Sequence, residues 1–214
     1  QSSLNDFFVH RSPEQPKPKA EENMPAGILS AFRTDVGKVR ANNQDTPIVS
    51  EKLRLYGVAD GMGGHYAGEK ASGLIAQSLT DWWDGCHEAA RRMPLQELAE
   101  HFKELLDGCA SQLNREIPED EYCGSTIVLL WLNGGQYLLL TAGDSRCYRL
   151  RRGLLRTEFC QMSTDDVYHA KGPEDAALEG KLTNCIGSQY TAHYTVQTGT
   201  AERRTLFALC SDGV

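Results

Sequence analysis

The chain has 214 residues and a formal net charge of −7, from 22 basic and 29 acidic side chains. That length suits one domain with one core, and the acidic balance argues against nucleic acid as a partner, since a phosphate backbone calls for a basic face. No apolar run reaches the ~20 residues of a membrane-spanning helix, so no membrane insertion is expected, and the seven scattered cysteines lack any Cys-x-x-Cys, which reads as buried thiols of a reducing, cytoplasmic compartment.

Residues 11–25 (RSPEQPKPKAEENMP) are proline-rich and charged, so residues 1–27 are expected to form a flexible tether. Both ends look like cuts in a longer protein, because the chain starts at Gln1 and stops at Val214, directly after an Asp212-Gly213 pair. Residues 28–33 and 53–59 read as strands, the second a continuous apolar run ending at Asp60. From Gly68 the period changes: Ala71, Leu74, Ile75, Ser78, Leu79 and Trp82 fall at helical spacing and predict a helix to about Trp83. Leu95, Leu98, Ala99, Phe102, Leu105, Leu106, Cys109 and Leu113 predict a second, bounded by Pro94 and Pro118. The middle turns to β, with strands expected at 125–132, 136–141, 146–151 and 154–159, joined by short glycine-bearing turns. Residues 163–181 are polar and irregular, a loop or short flap, and strands at 192–198 and 204–210 close the chain. Antiparallel strands with two long helices argue an α+β fold, helices layered on sheets.

Two apolar strands end in Asp-Gly, at Asp60-Gly61 and Asp212-Gly213, and two further acids, Asp45 and Asp144, punctuate comparable places. A carboxylate at the mouth of a strand, followed by a residue without a Cβ, suits a hard cation that takes carboxylate, carbonyl and water oxygens. The Asp60-Gly-Met-Gly-Gly-His65 loop joins strand to helix as a nucleotide loop would, but Tyr66 stands in place of the third glycine and no Gly-Lys-Ser/Thr ending follows. His87-Glu-Ala-Ala-Arg91 misses the His-Glu-x-x-His of a zinc protease, and no Cys/His set has zinc spacing. Oxygen donors alone favour Mg2+ or Mn2+. Arg40, five residues before Asp45, could offer a planar guanidinium fork to two phosphate oxygens, and His65 in the glycine-rich loop is the one histidine kept as a site candidate.

These residues fall into six ordered motifs: Thr34-Asp-Val-Gly-Lys-Val-Arg40-Ala-Asn-Asn-Gln-Asp45, Val58-Ala-Asp60-Gly61-Met-Gly-Gly, Gly124-Ser-Thr126, Ala142-Gly-Asp144-Ser-Arg146, Leu182-Thr-Asn-Cys-Ile-Gly187 and Cys210-Ser-Asp212-Gly213. In this order they resemble the metal-dependent protein phosphatases of the 2C type, in their bacterial branch, over residues 28–214. The resemblance implies an α-β-β-α sandwich of two antiparallel sheets flanked by helices, here C-terminally incomplete. It implies two Mn2+ or Mg2+ ions, with Asp60 bridging them, Gly61 offering its carbonyl to one and Asp212 ligating the other. Asp144 resembles the acid that helps hold a third ion, Asp45 would organise water, and Arg40 would bind the substrate phosphate. The implied reaction is hydrolysis of phosphoserine and phosphothreonine in proteins that a Ser/Thr kinase has modified, by in-line attack of a hydroxide that the cations make available.

Four departures from the family pattern bear on activity. Gln44 stands where Glu is usual, Met62 where animal relatives carry a His proposed as general acid, and Asp166 where a His is usual. The last metal-binding Asp, which in the family follows the Ser-Asp-Gly motif, falls beyond Val214. The alternative expectation is therefore a catalytically weak or inactive module of the same fold with a binding or regulatory role.

Overall fold

The computed structural model describes residues 28–38, 42–63, 67–118, 121–153, 156–187, 191–202 and 204–212. The expected tether at 1–27, Arg40, His65 and Gly213 lie outside the described residues. Among the described residues, ten strands and two long helices form in the order β1 (Asp45–Ser50), β2 (Leu55–Gly63), α1 (Ala67–Ala90), α2 (Leu95–Glu116), β3 (Cys123–Ser125), β4 (Ile127–Asn133), β5 (Gln136–Ala142), β6 (Arg146–Arg152), β7 (Thr157–Gln161), β8 (Ile186–Gly187), β9 (Thr195–Thr200) and β10 (Thr205–Cys210).

The larger sheet runs β1–β2–β4–β5–β9, all antiparallel. Thr126 alone separates β3 from β4, so β3 continues alongside the far end of β2 and carries the two-residue β8 on its other side. The smaller sheet has β6 in the centre, flanked by β10 and β7. Strand β4 explains the layering. Ile127, Leu129 and Trp131 face the helices while Val128 and Leu130 face the second sheet, so the strand is apolar on both faces and reads as an unbroken hydrophobic run.

Helices α1 and α2 bury Ile75, Leu79, Trp83, Leu98, Phe102 and Leu106 against the larger sheet. Trp83 stacks on Phe102 at 5.6 Å and meets Trp131 edge-on at 5.6 Å. Complete burial of such side chains contributes ~1.5–3 kcal/mol each, which is where most of the helical stability comes from. Between the sheets lies a second core of Val128, Leu130, Tyr137, Leu139 and Cys147, closed by Phe207 and Leu209 of β10. The α+β sandwich of two antiparallel sheets with helices against a sheet is the architecture expected from sequence; among the described residues both long helices cover the larger sheet.

The element boundaries differ in instructive places. Residues 28–36 form no strand; Leu29 is 96% exposed and Phe32 65%, so these apolar residues have no sheet to join. The strand that pairs with β2 is β1 instead, which the sequence hides behind Pro47. A proline is admissible there because, among the described residues, β1 is an edge strand that pairs with β2 alone. Helix α1 continues past Trp83 to Ala90, and the segment from 163 to 181 is irregular as expected, apart from a 3-10 turn at Ala176–Leu178 and an isolated bridge from Val167 to Leu182.

Candidate metal centre

Strand register and one hydrogen bond bring Asp45, Asp60 and Asp212 to one end of the sandwich, and Asp144 feels the charge of Asp212. Asp45 opens β1 directly opposite Asp60 on β2. Ser211, at the end of β10, donates its hydroxyl to Asp45 Oδ2 at 2.8 Å, which brings the adjacent Asp212 to the same end. Asp144, in the turn between β5 and β6, is half-buried, and its carboxyl is pushed above the usual carboxylate range. Burial is the main cause and the negative charge of Asp212 the next, with Asp165 adding to it and Arg146 opposing.

Strand β2 aims its residues by simple alternation. Val58 packs into the core between the sheets, so Asp60 and Met62 follow it on that face, while Gly61 turns toward α1. Gly61 is where strand and helix cross. A Cβ there would lie 2.1 Å from the Gly68 carbonyl oxygen and 2.9 Å from that of Gln44, so only glycine permits the approach. The backbone N–H of Gly61 donates to Gln44 O at 3.0 Å, and the Asp60 carbonyl accepts from the Thr126 N–H at 2.9 Å. Gln44 sets its side-chain amide over the same crossing, 3.4 Å from the Gly63 carbonyl.

The Asp144 turn is held from two sides. Gly143 has φ +105°, a conformation that glycine adopts without strain, and a Cβ there would strike Thr126 at 2.6 Å. The Ser145 and Thr126 hydroxyls bond at 2.6 Å. From the flap side, Asp166 Oδ2 accepts the Gly143 N–H at 2.9 Å and the Asn184 amide at 2.7 Å. Arg146 forms a forked pair with Asp165, Nε lying 2.8 Å from Oδ2, and this contact raises its pKa still further. That guanidinium is committed to the fold and so is a poor phosphate ligand. Sequence reading names Ser211 and Thr126 only as motif members and Asp166 only as a departure, and gives none of them these roles; nothing local ties Ser211 to an acid 166 positions away.

Among the described residues no three carboxylate, thiol or imidazole groups form a ready-made cage. The donors present still fit a hard divalent ion. They are oxygen atoms, and Asp144 and Asp212 are near enough to repel, a charge that a cation would offset. Such an ion keeps several waters and needs only one or two protein carboxylates.

A two-sheet sandwich with an acidic, oxygen-donor centre at one end defines the class of protein, and comparison with known proteins supplies the family. The family model described as protein phosphatase 2C matches residues 11–214, and the chain belongs to that family. The serine/threonine protein phosphatase PstP of Mycobacterium tuberculosis is 34% identical over 197 residues, covering 86% of this chain and 36% of that protein. The serine/threonine phosphatase stp of Listeria innocua is 33% identical over 135 residues, 58% of this chain and 51% of that protein. The chain thus spans from about a third to about half the length of these two relatives. The catalytic domain of PstP, solved in complex with two manganese ions, superposes with a TM-score of 0.63 at 31% identity, over 85% of this chain and 76% of that one.

Proposed function

We propose that this protein hydrolyses phosphoserine and phosphothreonine in other proteins, with Mn2+ or Mg2+ as cofactor. The observation that carries the reading is the linked arrangement of Asp45, Asp60, Asp144 and Asp212, four acids from four separate segments at one end of the sandwich. Asp60, the Gly61 carbonyl and Asp212 are the groups to hold two cations, and Asp144 a third. When bound, such cations supply positive charge against the phosphoryl oxygens and make water a better nucleophile at neutral pH.

The chain's own residues do the rest. Asp45, fixed by Ser211 and by its backbone N–H to Asn43 Oδ1 at 3.1 Å, accepts a proton-bearing donor and so orients water for in-line attack. Arg40 is the residue to bind two phosphate oxygens with the planar fork of its guanidinium. The absence of charged Glu at position 44 leaves the centre with one acid fewer, so metal affinity is expected to be modest.

The substrates are phosphoproteins made by a Ser/Thr kinase, in the cytoplasm. No disulfide joins the seven cysteines, as in a reducing compartment, and no helix among the described residues is long and apolar enough to cross a membrane. The test is hydrolysis of a phosphothreonine peptide in Mn2+ and in chelator, beside Asp60→Asn, with Mn2+ binding followed by calorimetry. Turnover that requires Mn2+ and falls to background in the variant, together with weakened binding, supports the reading. Turnover that survives chelator, or that Asp60→Asn leaves intact, refutes it.

A further inference from the structure

Beyond Asp60 on β2, the face that carries the acids continues into a small apolar platform. Met62 shares that face, two residues on. Its Cα partner on β3 is Gly124, whose own partner on β8 is Gly187. Tyr122 and Cys185 each precede one of these glycines by two positions, so they stand on the same face. The Tyr122 hydroxyl and the Cys185 sulfur are 2.7 Å apart, and the hydroxyl is 3.7 Å from Met62 Sδ. The phenol hydroxyl is placed to donate to the Met62 thioether, in the Cys185 contact either the thiol or the hydroxyl can donate, and burial raises the Cys185 pKa.

Gly124 makes room for this arrangement: a Cβ there would lie 3.1 Å from Cys185 Sγ and 3.2 Å from the Tyr122 hydroxyl. The tip of the ring is therefore held by both sulfur atoms, while Tyr122 remains 37% exposed. A fixed, exposed aromatic ring beside two soft sulfur atoms presents an apolar surface already ordered for contact, so that little entropy is lost when something packs on it. Met62 stands ~7 Å along the strand from Asp60, which equals two residues of an extended peptide.

We propose that Tyr122, with Met62 and Cys185, forms a subsite for an apolar side chain two residues from the phosphorylated serine or threonine of a substrate. It rests on the phosphatase reading of the acidic centre. The subsite selects phosphopeptides with an aliphatic or aromatic residue at that distance over those with glycine, and it acts on the peptide rather than on the phosphoryl group.

Fluorescence anisotropy measures it on the full chain with Mn2+, using two labelled peptides that carry a non-hydrolysable phosphonate analogue of phosphothreonine. One peptide has leucine two residues before and two after the analogue, the other glycine at both places. The expected result is a roughly three- to tenfold tighter Kd for the leucine peptide, the range of one aromatic contact. In Tyr122→Ala that discrimination collapses to near one, and in Tyr122→Phe, which keeps the ring, most of it survives. Equal binding of the two peptides by the unmodified protein, discrimination that persists in Tyr122→Ala, or no binding of either peptide overturns the subsite. Mn2+-dependent turnover of p-nitrophenyl phosphate, which has no flanking residues, separates the two claims. Turnover without discrimination sinks the subsite alone; discrimination without turnover sinks the phosphatase reading and leaves a phosphopeptide-binding site.

Discussion

Gly61→Ala tests whether the centre depends on close backbone contact between β2 and α1. The added methyl would lie 2.1 Å from the Gly68 carbonyl oxygen, and ordinary contact begins at 3.4 Å, so strand and helix must part by roughly 1.3 Å. Both colliding groups are main chain, the strand being tied to Gln44 O by the Gly61 N–H, and neither can swing aside as a side chain would. Overpacking a tight site costs about 1–3 kcal/mol, and this one belongs at the upper end. For a chain of this size each 1 kcal/mol lowers Tm by about 2–4 °C, so the expected fall is roughly 6–12 °C by the same relation. Gly108→Ala is the matched control, since it lies on α2 with nothing within 4 Å of the added Cβ. It should raise stability by up to about 1 kcal/mol, the helix preference of alanine over glycine. Urea unfolding and thermal melts of the pair give both numbers, and Mn2+-dependent turnover below the transition reports the displaced Asp60. A Gly61→Ala protein within about 0.5 kcal/mol of the parent, the spread of neutral surface changes, would refute the account of why glycine follows this acid.

Three further outcomes follow from the geometry. Gln44→Glu restores an acid beside the crossing, so half-saturation by Mn2+ should tighten several-fold in a metal titration, while the metal-free protein loses about 1 kcal/mol with the amide bond to Gly63. Asp166→Ala leaves the Gly143 N–H and the Asn184 amide without their acceptor, at a cost of about 1–3 kcal/mol in urea melts, whereas Asp166→Asn keeps an acceptor oxygen and most of the stability. Burial pushes the Cys147 thiol from 9.0 up to about 12. The folded state therefore holds that proton after the unfolded chain has released it, so the associated stability is complete below pH 9 and is lost as pH rises toward 12. In that window the unfolding free energy of the parent should fall more steeply than that of Cys147→Ala, by about 1.4 kcal/mol per pH unit; parallel pH profiles would disprove it.

The acidic centre was legible as residue types in order, because Asp-Gly at a strand end is a local pattern and its chemistry needs no partner to be recognised. Helices α1 and α2 were legible for the same reason: Ile75, Leu79 and Trp83, and Leu98, Phe102 and Leu106, repeat at the helical period. The strand expected at 28–33 and the strand found at Asp45–Ser50 mark where this stops. An apolar run becomes a strand only if another strand supplies hydrogen bonds, and no sequence-local signal shows that β2 takes Pro47 and its neighbours rather than Leu29 and Phe32.

What the sequence by itself determined is composition at each point: which positions carry oxygen donors, which strands are apolar on both faces, and which segments turn. What only the tertiary structure decided is who meets whom. The bond from Ser211 to Asp45, the clamp of Asp166 on Gly143, the Gly61–Gly68 crossing and the anchoring of Tyr122 by Met62 and Cys185 join residues distant along the chain or from different elements. Such contacts depend on sheet register and layer packing, which are set by the whole core at once, and a hydroxyl or a thiol carries no mark in sequence of the partner that burial will give it.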